Sequence, residues 1–193
     1  LPSGKSSRVK SIFTYDGELD TARPGQAITI TLEDEIDVSR GDMLVHNGHE
    51  PIVTNKVDAH VVWMGENPMR THKEYIFKFG TKSCVGKVTA IRHKIDVNTL
   101  EQRAEESESL ELNEISLSEI VLTDKIAVDT YQTLPQTGSF IVIDRHNNVT
   151  VGAGMVESVS DEKSEEGRVY SLSEKALNAY VRQYFPEWGC KEV

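Results

Sequence analysis

The sequence has few cysteines, no excess of positive charge and no long apolar run, and each scarcity excludes something. Two cysteines in 193 residues, Cys84 and Cys190, cannot build a disulfide framework. No Cys-x-x-Cys or paired-histidine spacing supports zinc, and both thiols are expected to be inert. The chain carries 21 basic and 31 acidic side chains, a formal charge of −10. That balance opposes nonspecific nucleic-acid binding, which needs Lys and Arg to neutralise phosphates. No apolar stretch reaches the roughly 18 residues of a membrane-spanning helix. The opening residues, Leu1-Pro2-Ser3-Gly4-Lys5-Ser6, lack an initiating Met and the charged-then-apolar order of a signal peptide. The chain is therefore expected to be a piece of a longer protein, working in the cytoplasm.

What is present fits a folded protein: 38% hydrophobic and 27% charged residues are compatible with a real core, and the length suits one large or two small domains. Up to about Glu157 the apolar residues recur with the period of strands. Ile28, Ile30 and Leu32 alternate with Thr29 and Thr31; Tyr75, Phe77 and Phe79 alternate with Ile76 and Lys78. Val61-Val62-Trp63-Met64 and Phe140-Ile141-Val142-Ile143 are short continuous apolar runs, expected to be strands buried on both faces or nearly so. Asn147-Asn148 and Asp16-Gly17 supply hairpin chemistry, since Asn and Gly tolerate positive φ. Many short strands without intervening helices predict antiparallel barrels or sandwiches. Residues 100–110, rich in glutamate, read as an exposed loop. Residues 160–167 suit a linker. Beyond it Ser173 caps a helix carrying Ala176, Leu177, Tyr180, Val181 and Tyr184 at helical spacing, stopped by Pro186.

Several strings imitate functional motifs. Gly4-Lys5-Ser6 looks like the end of a phosphate-binding loop, and Asn55-Lys56-Val57-Asp58 fits the guanine-reading pattern Asn-Lys-x-Asp. A phosphate loop needs a preceding strand, an earlier glycine and a following helix whose amides cradle the phosphates. Here a strand-like run from Arg8 follows, and no Asp-x-x-Gly occurs anywhere. Both strings read as coincidental. Arg40-Gly41-Asp42 reads as a turn, and Glu33-Asp34-Glu35 with Asp37 as a solvated acidic turn without calcium-loop spacing. His46, His49, His60, His72, His93 and His146 are scattered singly, and no serine sits in a nucleophile elbow. No catalytic, cofactor-binding or metal-binding residue is assigned.

Longer stretches carry a resemblance. Ala22-Arg23-Pro24-Gly25-Gln26-Ala27, continuing through Leu32 to Asp42, is similar to the barrel domain that follows the GTPase domain in translation-factor-like GTPases. Val62-Trp63-Met64, the run His93 to Leu100, Thr137-Gly138-Ser139 through Arg145, and Gly152-Ala153-Gly154-Met155 resemble, within that superfamily, the GTP-hydrolysing subunits of bacterial heterodimeric sulfate adenylyltransferases. The resemblance covers residues 1 to about 156. It implies an all-β fold of antiparallel translation-factor-type barrels with a short C-terminal helix: residues 1–47 as the C-terminal part of a truncated first barrel, 48–158 as a complete second barrel, and 159–193 as linker and helix.

The same resemblance implies a role. In that family a separate catalytic subunit joins sulfate to the AMP of ATP and releases pyrophosphate, while GTP hydrolysis drives the step. The family's phosphate, magnesium and guanine contacts lie in a GTPase domain that no position here matches. No cofactor is expected on this segment, GTP with magnesium being expected of the parent. The implied partners are the catalytic subunit and the chain's own N-terminal GTPase domain. Two other readings share the architecture: an RNA-binding barrel pair of an elongation factor, disfavoured by the acidity, and the same region of a fusion with an adenylylsulfate kinase, for which a phosphate-loop domain should follow directly.

Overall fold

A computed structural model describes residues 1–96, 99, 102–103, 107–159 and 180. Residues 1–160 form one compact unit and residues 161–193 a second. In the second, Tyr180 is helical and exposed; the rest of the expected linker and C-terminal helix, with Cys190, lies outside the described residues.

The first unit is all-β. Strands β1 (Val9–Thr14), β2 (Gly17–Leu19) and β3 (Thr29–Leu32) form a three-stranded antiparallel sheet in the order β2-β1-β3. The β1–β2 turn falls at Tyr15-Asp16, one residue ahead of the expected Asp16-Gly17; Gly17 opens β2 at φ 127, a backbone region that glycine enters without a Cβ penalty. In β3 the alternation holds: Ile30 and Leu32 are half-buried while Thr29 and Thr31 are exposed.

The remaining strands are β4 (Ile52–Trp63), β5 (Met69–Arg70), β6 (Glu74–Phe79), β7 (Lys82–Ile95), β8 (Gln102–Arg103), β9 (Ser109–Leu110), β10 (Ile115–Val128), β11 (Ser139–Asp144) and β12 (Thr150–Val159). Six of them close into an antiparallel barrel: β4, β12, β11, β6, β7 and β10 pair in that order, and β10 returns to β4. Closure leaves none of the six with an unpaired edge. The β11–β12 hairpin turns at Asn147-Asn148 as expected, with Asn148 at φ 58. Asn147 Oδ1 accepts the Val149 amide at 3.0 Å.

Alternation along these strands fills the barrel. Val57, Ala59, Val61 and Trp63 of β4, Tyr75, Phe77 and Phe79 of β6, and Phe140 and Val142 of β11 all point inward and are buried. Fully burying one such side chain is worth about 1.5–3 kcal/mol. Ser116 and Ser118 of β10 are also fully buried, and their hydroxyls hydrogen-bond each other at 2.7 Å, which offsets much of the cost of taking them from water. Cys84 of β7, opposite Phe77, is also buried in the core, and burial pushes its thiol up to about 11.

One end of the barrel is plugged. Met69 of β5 pairs with Leu110 of β9, and both side chains are fully buried. Trp63 Nε1 donates to the Asn67 carbonyl at 2.8 Å, and the Arg70 amide donates to the Tyr75 hydroxyl at 3.3 Å. The plug corrects the reading of residues 100–110 as a loop: Leu110 is a core residue, and Gln102–Arg103 pairs with the end of β7.

The two continuous apolar runs also differ from expectation. Val61 and Trp63 are buried, but Val62 is half-buried and Met64 is 46% exposed. In β11, Phe140 and Val142 face the core while Ile141 and Ile143 face outward, half-buried. A closed barrel has one interior, so alternate residues must leave it whatever their polarity.

Candidate functional site

Two features on the outer surface of the barrel stand out: a charged network where β4, β10 and β7 meet, and an apolar groove across β4, β12 and β11.

The network centres on Glu119. It faces Asp58 directly across the β10–β4 ladder, and like charges in that position repel. The repulsion is met from β7, which carries two bulges. Ser118 pairs with Ile91 and Leu117 with His93, leaving Arg92 extra; Ile120 pairs with Val88 and Glu119 with Ala90, leaving Thr89 extra. A bulge re-aims the side chain it adds, and here both added residues reach the same carboxylate. Thr89 Oγ1 donates to Glu119 Oε1 at 2.6 Å, and Arg92 Nη2 donates to Oε2 at 2.5 Å. Lys56 Nζ lies 3.0 Å from Oε2. Arg92 Nε stands 3.5 Å from Asp58 Oδ1; that oxygen is buried and accepts no hydrogen bond, so the guanidinium serves it as a charge alone. Burial works to raise the Glu119 carboxyl, but the Thr89 hydroxyl, Lys56 and Arg92 outweigh it and hold the group below its ordinary value. The arrangement clamps three strands together.

Two of its residues, Lys56 and Asp58, belong to the guanine-like string. Asn55-Lys56-Val57-Asp58 lies wholly within β4; Val57 points into the core, while Lys56 and Asp58 are committed to Glu119 and Arg92. Successive side chains of a strand point to opposite faces, so the string does not converge on one base. Gly4, at φ 69, precedes β1 with no helix after it, so Gly4-Lys5-Ser6 offers no helix N-terminus to a phosphate.

The remaining motif-like residues are distributed as follows. Ser39, Arg40, Gly41 and Asp42 form a turn in which the Asp42 amide donates to the Ser39 carbonyl at 3.0 Å. Gly41, at φ 98, lies against Lys82, where an added Cβ would clash. Glu33, Asp34, Glu35 and Asp37 are exposed; Asp34 accepts the Ser7 hydroxyl at 2.8 Å. His46 and His49 stack edge to face, His60 lies 3.5 Å from Glu157, and His93 Nε2 is buried without a hydrogen bond. Among the described residues no group of three His, Cys, Asp or Glu side chains could hold a metal ion, and no helix is long and apolar enough to cross a membrane.

The apolar groove has a volume of about 570 Å³. Val62, Ala153 and Ile141 are consecutive cross-strand partners on the outer face, and the row continues to Lys78 of β6. Met155 and Tyr131, 36% and 40% exposed, flank it. The signal was in the sequence, in the two continuous apolar runs, but was assigned there to a second buried face.

Comparison with known proteins places this geometry. Sulfate adenylyltransferase subunit 1 of Saccharophagus degradans is 51% identical over 193 residues, covering 100% of this chain and 41% of the relative. The protein of the same name from Shewanella woodyi gives the same figures, and that of Aliarcobacter butzleri is 49% identical over 193 residues, with 100% and 41% coverage. The chain thus spans about two fifths of the length of these curated relatives. Among solved structures, Sup35 complexed with GDP superposes with a TM-score of 0.76 at 16% identity, covering 83% of this chain and 40% of that one; such identity speaks to the fold alone. The family described as GTP-eEF1A C-terminal domain-like matches residues 56–157, beginning within β4 and ending within β12. That match takes in more than half of the chain and every strand of the closed barrel, and the chain belongs to the GTP-eEF1A C-terminal domain-like family.

Proposed function

We propose that this chain is the non-catalytic barrel region of the GTP-hydrolysing subunit of a sulfate adenylyltransferase. It acts as a scaffold and coupling surface between a GTPase domain and the catalytic subunit. The observation that carries the reading is the 51% identity to sulfate adenylyltransferase subunit 1 over all 193 residues. In this reading residues 1–47 belong to a first barrel, 48–158 form the second, and 159–193 are linker and helix. The complete protein uses GTP with magnesium in the domain ahead of the barrels, and works in the cytoplasm. Its partner, subunit 2, joins sulfate to the AMP of ATP and releases pyrophosphate.

The physical character of the barrel supports a coupling role. A closed sheet plugged at one end and clamped by the Glu119 network is close-packed, and close-packed interiors transmit strain. The net charge of −10 disfavours the RNA-binding alternative, which needs a basic face. Titration of fluorescent GTP into the purified chain tests the assignment of nucleotide binding to another domain. No guanine-specific binding is expected; micromolar binding that GDP displaces and ATP does not would overturn it.

A further inference from the structure

The turn that leads into β4 holds an activated peptide bond. Asn47 is the one asparagine of the sequence that precedes a glycine. With no Cβ on the following residue, the backbone nitrogen of Gly48 meets no steric block on its way to the Asn47 side-chain carbonyl. Gly48 sits at φ 84 with open space where a Cβ would stand, in a turn closed by the His49 amide donating to the His46 carbonyl at 3.1 Å. Residues 46–50 are exposed, so water reaches the site. Other asparagines are placed differently: Asn147 has its side-chain oxygen held by the Val149 amide, and Asn67 precedes a proline, which has no N–H.

Two side chains act on the Asn47–Gly48 peptide from opposite ends of its dipole. The Glu50 carboxylate accepts the Gly48 N–H with both oxygens, at 3.0 and 3.1 Å, within the reach of about 2.6–3.2 Å that a general base requires. His46 Nδ1 donates to the Asn47 backbone carbonyl at 2.9 Å. As the amide proton leaves, negative charge spreads from the nitrogen onto that carbonyl oxygen, and a donor already aimed at it stabilises the charge. Proton acceptor and anion stabiliser therefore converge on one peptide, the one whose nitrogen is the nucleophile of asparagine deamidation.

We propose that Asn47 is a site of spontaneous deamidation promoted by Glu50 and His46. Gly48 N attacks Asn47 Cγ while its proton passes to the Glu50 carboxylate, and the new C–N bond closes a five-membered ring. The Cγ–Nδ2 bond then breaks, and that nitrogen leaves as ammonia with the proton returned by Glu50, giving a succinimide. Water, the one co-reactant, opens the ring at either carbonyl to aspartate or isoaspartate; nothing is oxidised or reduced. Both products add a negative charge to the turn, and isoaspartate also lengthens the backbone by a methylene just ahead of β4. The inference is independent of the sulfate adenylyltransferase reading.

Peptide mapping of the full chain incubated at pH 7, with isoaspartate scored at each asparagine by mass spectrometry, tests the proposal. Isoaspartate is the signature, because direct hydrolysis of the side-chain amide yields aspartate alone. It is expected at Asn47 ahead of every other asparagine, and faster in the folded chain than in the same chain unfolded in guanidinium chloride. Glu50→Gln and His46→Ala, both at exposed positions, should each slow the folded-state rate by about three- to tenfold, below the about 10²–10⁴ of a tuned enzymatic base. Neither should change the rate of the unfolded chain, in which the two groups are no longer held on the peptide. An intact Asn47, a slower rate in the folded chain than in the unfolded one, or a folded-state rate unchanged by either substitution would overturn the proposal.

Discussion

The ring of Phe140 stands over Gly154, its direct cross-strand partner in the β11–β12 hairpin. A Cβ placed on Gly154 would fall inside the contact distance of three atoms of that ring. Glycine in a strand normally weakens it; here its missing side chain is the space the ring occupies. Phe140 in turn packs on Phe79, with ring centroids 4.7 Å apart, so the pair ties the hairpin to β6.

Gly154→Ala is accordingly expected to destabilise the chain by about 1–3 kcal/mol through overpacking. Adding Phe140→Leu should recover part of the loss, giving a favourable coupling in a double-mutant cycle. Equilibrium denaturation of the two single variants and the double variant measures it; strict additivity would show that the ring and the glycine do not compete for space.

Glu119 sets a pH dependence. Its carboxyl is held below the ordinary value near 4.5 in the folded chain, so the folded state binds protons less readily than the unfolded one. The resulting stabilisation is fully present above about pH 4.5 and is lost as the pH falls through the lower folded-state value. Glu119→Gln should lower stability at pH 7 by about 1–3 kcal/mol, the cost of removing one partner from a hydrogen-bonded, partly buried group. It should also flatten the fall in denaturation midpoint below pH 4.5. An unchanged acid limb would remove Glu119 from the account of acid sensitivity.

Leu110→Ala should cost about 2–5 kcal/mol, as expected for a fully buried leucine, despite lying just past the run of glutamates. Thermal unfolding distinguishes this from the near-zero effect of truncating a solvent-exposed loop residue.

Cys84 should be silent in the folded state. With its thiol pushed up to about 11 by burial, very little thiolate exists near neutrality. In a Cys190→Ser background, iodoacetamide at pH 8 should label Cys84 only when denaturant unfolds the barrel. Rapid labelling of the native protein would show that the interior opens locally.

The barrel was legible in the sequence wherever one face alternates with the other, as at Tyr75, Phe77 and Phe79, and wherever turn chemistry is explicit, as at Asn147-Asn148. Three features were not. The apolar row of Val62, Ala153 and Ile141 was hidden because an outward-facing apolar residue and a doubly buried strand give the same string. Leu110 was masked by the acidic residues before it, whose polarity says nothing about a plug paired to Met69. The Glu119 network depends on bulges that add Thr89 and Arg92 to β7, and a bulge shifts the register by one residue without leaving a mark in composition. The sequence did allow the rejection of Asn55-Lys56-Val57-Asp58 as a guanine site, because neither a phosphate loop in its proper context nor an Asp-x-x-Gly accompanies it.

The most direct test of the proposed coupling role is calorimetric titration of the chain with the catalytic subunit of sulfate adenylyltransferase, with and without residues 168–193. A saturable, stoichiometric complex with the full chain is the predicted result. No detectable binding by either form would contradict the claim that this region carries a surface for the catalytic subunit.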